Sequence, residues 1–234
     1  MLLGEGEMKF HSDSGGASSP GPKRRFLSFI RLPNWQRWSA FFIVLIILFI
    51  IFAPMAHRFL AVTQRVMDAD TLVVEEWSAD VVGQAAVDEF KKGNYIRLLI
   101  SCLREDLREN AQSHAQKSPE INRLVALGIP KEKILECYSP VTNNRQSASM
   151  ALGVRDTLRK LNMKSKGVNV MAPATHARKT WLVHRRALFP ETSAGIIAVQ
   201  PDIYNPNRWW LNGKSAKWVL KNYIGLLYEW ATGM

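Results

Sequence analysis

The 234-residue chain carries 31 Lys and Arg against 20 Asp and Glu, a formal net charge of +11, and two cysteines, Cys102 and Cys137. Two cysteines cannot make a disulfide framework, and no spacing of a structural zinc site occurs, so no metal is expected. No GxGxxG, Walker or GxSxG sequence is present, which excludes the dinucleotide, nucleoside-triphosphate and serine-hydrolase chemistries those motifs carry.

Residues 1–37 read as a basic cytoplasmic tail whose Ser/Gly/Pro-rich stretch at 11–22 is too polar to fold. The nineteen residues Trp38–Ala56 carry no charge, and Phe41–Ala53 is an unbroken apolar run. At about 1.5 Å per residue they span about 28 Å, close to the ~30 Å hydrocarbon core of a bilayer. Trp35 and Trp38 flank the run where amphipathic rings favour the headgroup layer. Lys23, Arg24, Arg25, Arg31 and Arg37 precede it, and only Arg58 and Arg65 follow closely. The positive-inside rule then puts the N-terminus in the cytoplasm and residues 57–234 outside a plasma (inner) membrane. A cleaved signal peptide competes, but Pro54 stands where a small residue is wanted. A buried core helix competes as well, but the run has no polar face.

The outer segment alternates short apolar runs with helical periodicity. Strands are predicted at 71–74, 96–100, 133–137, 168–172 and 194–199, and helices at 80–92, 118–127, 147–161, 175–188 and 215–230. This alternation implies an α/β fold, a Rossmann-like, doubly wound, mainly parallel five-stranded sheet, preceded by one transmembrane helix. In such sheets the ligand crevice lies beyond the C-terminal strand ends. Ser101 and Cys102 are expected to end the second strand.

The turn after the fourth strand is the most suggestive. Thr175 is placed to cap a helix whose first turn holds His176, Arg178 and Lys179. Cations oppose the helix dipole there, so their placement favours a bound anion over a purely structural role. His176 is a candidate general acid or base, with Glu75 at the first strand end as a candidate carboxylate base. Thr142, Asn143, Asn144 and Arg145 offer hydroxyl, amide and guanidinium donors before another helix. Each of these residues also has a bland reading, as cap, turn or solvated charge.

Basic residues crowd 140–190, which suits anionic partners; on the outer face of a membrane, phosphorylated glycans or lipid-linked precursors are expected and nucleic acid is not. The sequence names no cofactor. Cys102 and Cys137 are expected to stay unpaired. Trp209, Trp210, Trp218 and Trp230 could dock on a bilayer. The preferred reading makes Val219, Leu220, Tyr223, Ile224, Leu227 and Trp230 the core face of the last helix.

Five segments, DADTLVVEEW (68–77), LLISC (98–102), LGIPKEKI (127–134), TNNRQSASMALGVRDTL (142–158) and APATHARKTWLVHRRAL (172–188), occur in an order and spacing that resembles the SanA-, ElyC- and YdcF-like domain family of bacterial envelope proteins. YNPNRWW (204–210) resembles a branch with a Trp pair before its last helix. The chain departs from the family's Gly-rich first turn, which is Glu75-Glu76-Trp77 here, and from its Ser-Gly-Gly after strand two, here Ser101-Cys102-Leu103. His176 is followed three residues later by Lys179 instead of Arg, which keeps the charge and loses the bidentate fork. The resemblance implies a role in cell-wall, lipid-carrier or surface-glycan metabolism, possible envelope-biogenesis protein partners, and no settled activity. Three functions follow as expectations: a binder of a phosphorylated envelope ligand, a hydrolase or transferase acting on one, or a non-catalytic scaffold.

Overall fold

The computed structural model describes residues 33–104, 119–142, 145–200 and 204–233. The expectations for residues 1–32, Asn143 and Asn144 fall outside the described residues. The chain divides into two compact units, Met1–Ile46 and Ile47–Met234. Helix α1 (Asn34–Leu60) is long and apolar enough to cross a membrane. Its side chains from Phe41 to Phe52 are exposed, unlike those of a core helix.

The second unit is built on a five-stranded, all-parallel sheet: β1 (Thr71–Glu75), β2 (Arg97–Arg104), β3 (Ile134–Pro140), β4 (Val168–Pro173) and β5 (Ala194–Val199). The strand order is β3-β2-β1-β4-β5. Parallel strands need crossovers that cover both faces, so the inner strands read as continuous runs of buried residues rather than alternating ones. β1 and β4 show this, with every residue of both strands buried. Leu72, Val74, Leu98 and Ile100 meet α2 (Ala79–Lys92) and α3 (Pro119–Ala126) through Val82, Ala86, Phe90, Ile121 and Leu124. Val73, Leu99 and Val170 point the other way, into a cluster with Val154 and Leu158 of α4 (Gln146–Lys160) and Ala177 and Leu188 of α5 (Ala177–Leu188). The last helix, α6 (Gly213–Thr232), is capped by Asn212, whose side chain accepts from the N–H groups of Lys214 and Ser215.

Two local expectations are corrected. β2 does not end at Ser101: Cys102, Leu103 and Arg104 continue pairing with Tyr138, Ser139 and Pro140. Ser101 is therefore inside the sheet, its Oγ donating to the carbonyl of Met150 at 3.2 Å. The inward stripe of α6 is Ser215, Val219, Asn222, Leu226 and Glu229, whereas Leu220, Ile224, Leu227 and Trp230 are 53–69% exposed. The cysteines are free, as expected. Ser101, not Cys102, pairs with Cys137, so the two thiols lie on opposite faces of the sheet, where no bond can form.

The end of α1 belongs to the second unit. Ala53 and Leu60 are buried with Trp209, Val219 and Leu226. The indole N–H of Trp209 donates to the carbonyl of Ala53 at 2.8 Å. The chain then runs beside β5, where Gln64 bridges Ile196 antiparallel. Asn169 of β4 fixes this crossing: its Oδ1 accepts from the Val66 N–H, and its amide donates to the Val66 carbonyl and the Tyr95 hydroxyl. Gly195 makes room for it. A Cβ there would sit 2.1 Å from Asn169 Oδ1 and 2.7 Å from the Gln64 carbonyl. Gly195→Ala should therefore destabilise the fold by about 1–3 kcal/mol, as overpacking does. A denaturant midpoint unchanged from wild type would show that the crossing has slack.

Candidate functional site

The strand order reverses between β1 and β4, and there the chain leaves the sheet toward opposite faces. This switch point is where doubly wound sheets open a crevice. Glu75 is the last residue of β1 and is fully buried. Beyond β4 a 3-10 turn, Ala174–His176, leads into α5. His176 Nε2 comes to 3.9 Å from Glu75 Oε2. Glu76, the neighbouring carboxylate, turns away to a two-pronged pair with Arg104 at 2.9 and 3.2 Å.

Over this junction lies a cavity of about 620 Å³, walled by Ser147 and Met150 of α4, His176 of the β4–α5 turn, Lys179 of α5, and α6. Asn222 is the organising side chain. Its amide nitrogen donates to Thr175 Oγ1 and to the Trp218 carbonyl, both at 3.1 Å. Its Oδ1 is left to accept, so the 2.8 Å contact with His176 Nδ1 places the ring proton on Nδ1. Nε2 then carries the lone pair, and the hydroxyl of Ser147 stands 3.4 Å from it as the donor. Burial is the main cause that pushes the His176 pKa down to about 3, with the Lys179 charge adding to it. The ring is therefore neutral at neutral pH, with Nε2 unprotonated.

Lys179 lies across Gly225 of α6, its Cδ 3.4 Å from where a Cβ would stand. Burial lowers its pKa, and the carboxylates of Glu75 and Glu229 oppose that shift. Glu229 is itself buried, paired to Arg145 at 2.9 Å, and its backbone carbonyl accepts from Arg186. Arg145 also donates to the Gly233 carbonyl, so it clamps the end of α6.

His176, Lys179 and Glu75 are thus brought together, with Thr175 behind them and Arg145 at the edge through Glu229. Thr175 does not cap α5; its hydroxyl is held by Asn222, and His176 occupies the cap position with no side-chain cap bond. Arg178 leaves the site: its Nε donates to the Phe59 carbonyl, and its guanidinium stacks 4.0 Å over the Phe59 ring. Ser101 is in the sheet, and Thr142 does not line the cavity. Ser147, Asn222, Lys221 and Glu229 enter the site without having been singled out in the sequence. A signal for two of them exists in Asn222 and Glu229, polar residues seven apart on one helix face.

Among the described residues no group of three or more His, Cys, Asp or Glu side chains could hold a metal ion. Compared with known proteins, the chain matches no family model and no curated relative.

His176 and His184 are both buried neutral, with pKa values lowered chiefly by burial from 6.5 to about 3 and about 4. Below pH ~6.5 the unfolded chain takes up protons that the folded chain refuses, so stability falls with pH. The slope is up to roughly 1.4 kcal/mol per pH unit for each histidine. Denaturant unfolding between pH 7 and 5 should show this decline, and His176→Gln should make it shallower. A slope identical to wild type would mean that His176 takes up its proton in the folded state.

Proposed function

We propose that this chain is a membrane-anchored envelope-biogenesis protein of the SanA-, ElyC- and YdcF-like kind. Its N-terminus is cytoplasmic, and its α/β domain binds a phosphorylated or otherwise anionic envelope ligand outside the cytoplasm. The observation that carries the reading is the cavity at the switch point, where the Lys179 ammonium, the N-terminal turn of α4 and a neutral His176 converge. The first turn of α4 leaves backbone N–H groups without intrahelical partners, which suits an anionic oxygen. Lys179 supplies a charge whose partial burial strengthens its attraction to an anion. Lys221 lines the same wall.

Full-length protein in detergent, titrated with inorganic phosphate and with N-acetylglucosamine 1-phosphate, tests this by thermal shift. Binding to the folded state raises the midpoint. Lys179→Ala should weaken binding at least ~10-fold, equivalent to about 1.4 kcal/mol. Unchanged affinity in the variant, or no shift with either probe, would overturn the anion site.

A second reading, a hydrolase or transferase acting on such a ligand, is favoured by one feature, the chain Ser147–His176–Asn222. A hydroxyl, a base whose lone pair faces it, and a third group that fixes the tautomer are the parts of an activated nucleophile. In the step this allows, Ser147 Oγ bonds to an acyl or phosphoryl centre and its proton passes to His176 Nε2. The same proton then leaves with the departing oxygen, and water reverses the sequence to free the serine. The 3.4 Å Ser147–His176 distance is loose, as such contacts are before a substrate tightens them. A fluorophosphonate probe should add one mass adduct at Ser147, lost in Ser147→Ala and strongly slowed in His176→Ala. No adduct on wild type would remove the nucleophile.

A further inference from the structure

Helix α6 is built inside out for a soluble domain. Its polar Asn222 and Glu229 face inward, while Leu220, Ile224, Leu227 and Trp230 form an exposed stripe at helical spacing. This stripe is continuous with the end of α1. The Tyr223 ring meets Phe59 at 6.1 Å, and Trp210, just before α6, meets Phe49 at 5.8 Å edge to face. Phe59 is three residues past Ala56, the last of the uncharged run, a rise of only ~4.5 Å. A helix that meets α1 at that level is at the depth where interfacial amphipathic helices lie, with apolar side chains in the acyl boundary and cations among the headgroups.

The flanks carry those cations. Lys217 and Lys221 border Leu220 and Ile224 on one side. On the other, Arg178 and Arg185 stand over the rings of Phe59 and Trp181 at 4.0 and 5.0 Å. Both arginines edge an apolar groove of about 380 Å³ that includes Tyr223, Leu227 and Trp230. None of these four cations makes an ion pair with another described residue. A second copy of the chain packed here by two-fold symmetry would bring the same cations face to face. An anionic bilayer would neutralise them.

We propose that the outer face of α6 docks on the anionic surface of the membrane that α1 crosses, with Leu220, Ile224, Leu227 and Trp230 entering the acyl boundary. The proposal rests on α1 as a membrane anchor, though not on any ligand in the cavity. Full-length protein in phosphatidylcholine–phosphatidylglycerol vesicles tests it, with single NBD probes at Ile224→Cys, at Leu45→Cys in α1 and at Gln84→Cys on α2. Cys102 and Cys137 are buried and stay unlabelled in the folded protein. With acyl-brominated lipid, the Leu45 and Ile224 probes should lose most of their fluorescence and the Gln84 probe should keep it. Omitting phosphatidylglycerol should weaken quenching at Ile224 alone. Quenching at Leu45 with none at Ile224 would overturn the docking and leave the anchor standing. No quenching at Leu45 would overturn the anchor itself. Disulfide cross-linking between unlabelled Ile224→Cys copies, without quenching of the labelled protein, would assign the face to self-association and overturn the proposal.

Discussion

The central position of β1 organises the second unit. It is flanked by parallel partners on both sides, and its five residues have no exposed face. A strand so placed forces the connections of one half of the sheet onto one face and those of the other half onto the opposite face. The covering helices part company where β1 meets β4, and the chain can leave a gap there without exposing the core. Glu75 and His176 meet in that gap because both lie just past the apolar lengths of neighbouring strands. The chemistry at this point is therefore a consequence of topology, and no dedicated binding loop is needed to make it.

What fills the gap is a polar network, and its energetics turn on complete pairing. A buried amide or imidazole without a partner costs about 1–3 kcal/mol, whereas a satisfied one contributes modestly. Asn222 meets this demand for three neighbours at once, Thr175, Trp218 and His176. The same bonds fix the histidine tautomer, so one side chain sets both order and chemistry in the site. Two carboxylates, Glu75 and Glu229, favour the charged form of the partly buried Lys179, and Arg145 offsets the second of them.

Much of the sheet was legible because continuous apolar runs bounded by turn residues have few other homes. The strands at 71–74 and 168–172 and the run at 194–199 fall within one residue of those observed. The length of β2 was not legible, since Cys102, Leu103 and Arg104 gain strand pairing only from β3, which is distant in sequence. His176, Lys179 and Glu75 could be nominated from their places after strands. Ser147 could not, because a serine near a helix start has common structural roles, and Asn222 stands out only through its seven-residue spacing from Glu229. The α6 stripe misled for a different reason. Periodicity identifies the more apolar face, and in this helix the protein interior takes the more polar one, because His176 and Arg145 wait there for Asn222 and Glu229.

The junction between α1 and the domain has a practical consequence. Charge returns to the sequence after Ala56, which makes residue 57 look like a natural place to separate anchor from domain. The interior does not divide there. Ala53 gives its carbonyl to the Trp209 indole, and its methyl packs with Leu60, Val219 and Leu226. A shortened chain beginning at residue 57 would leave that indole without its acceptor and strip cover from the base of α6, the helix that walls the cavity. Detaching the domain so as to handle it in water would thus alter the part of it most worth studying. A faithful soluble version would keep the last turns of α1 and replace their outward-facing side chains with polar ones.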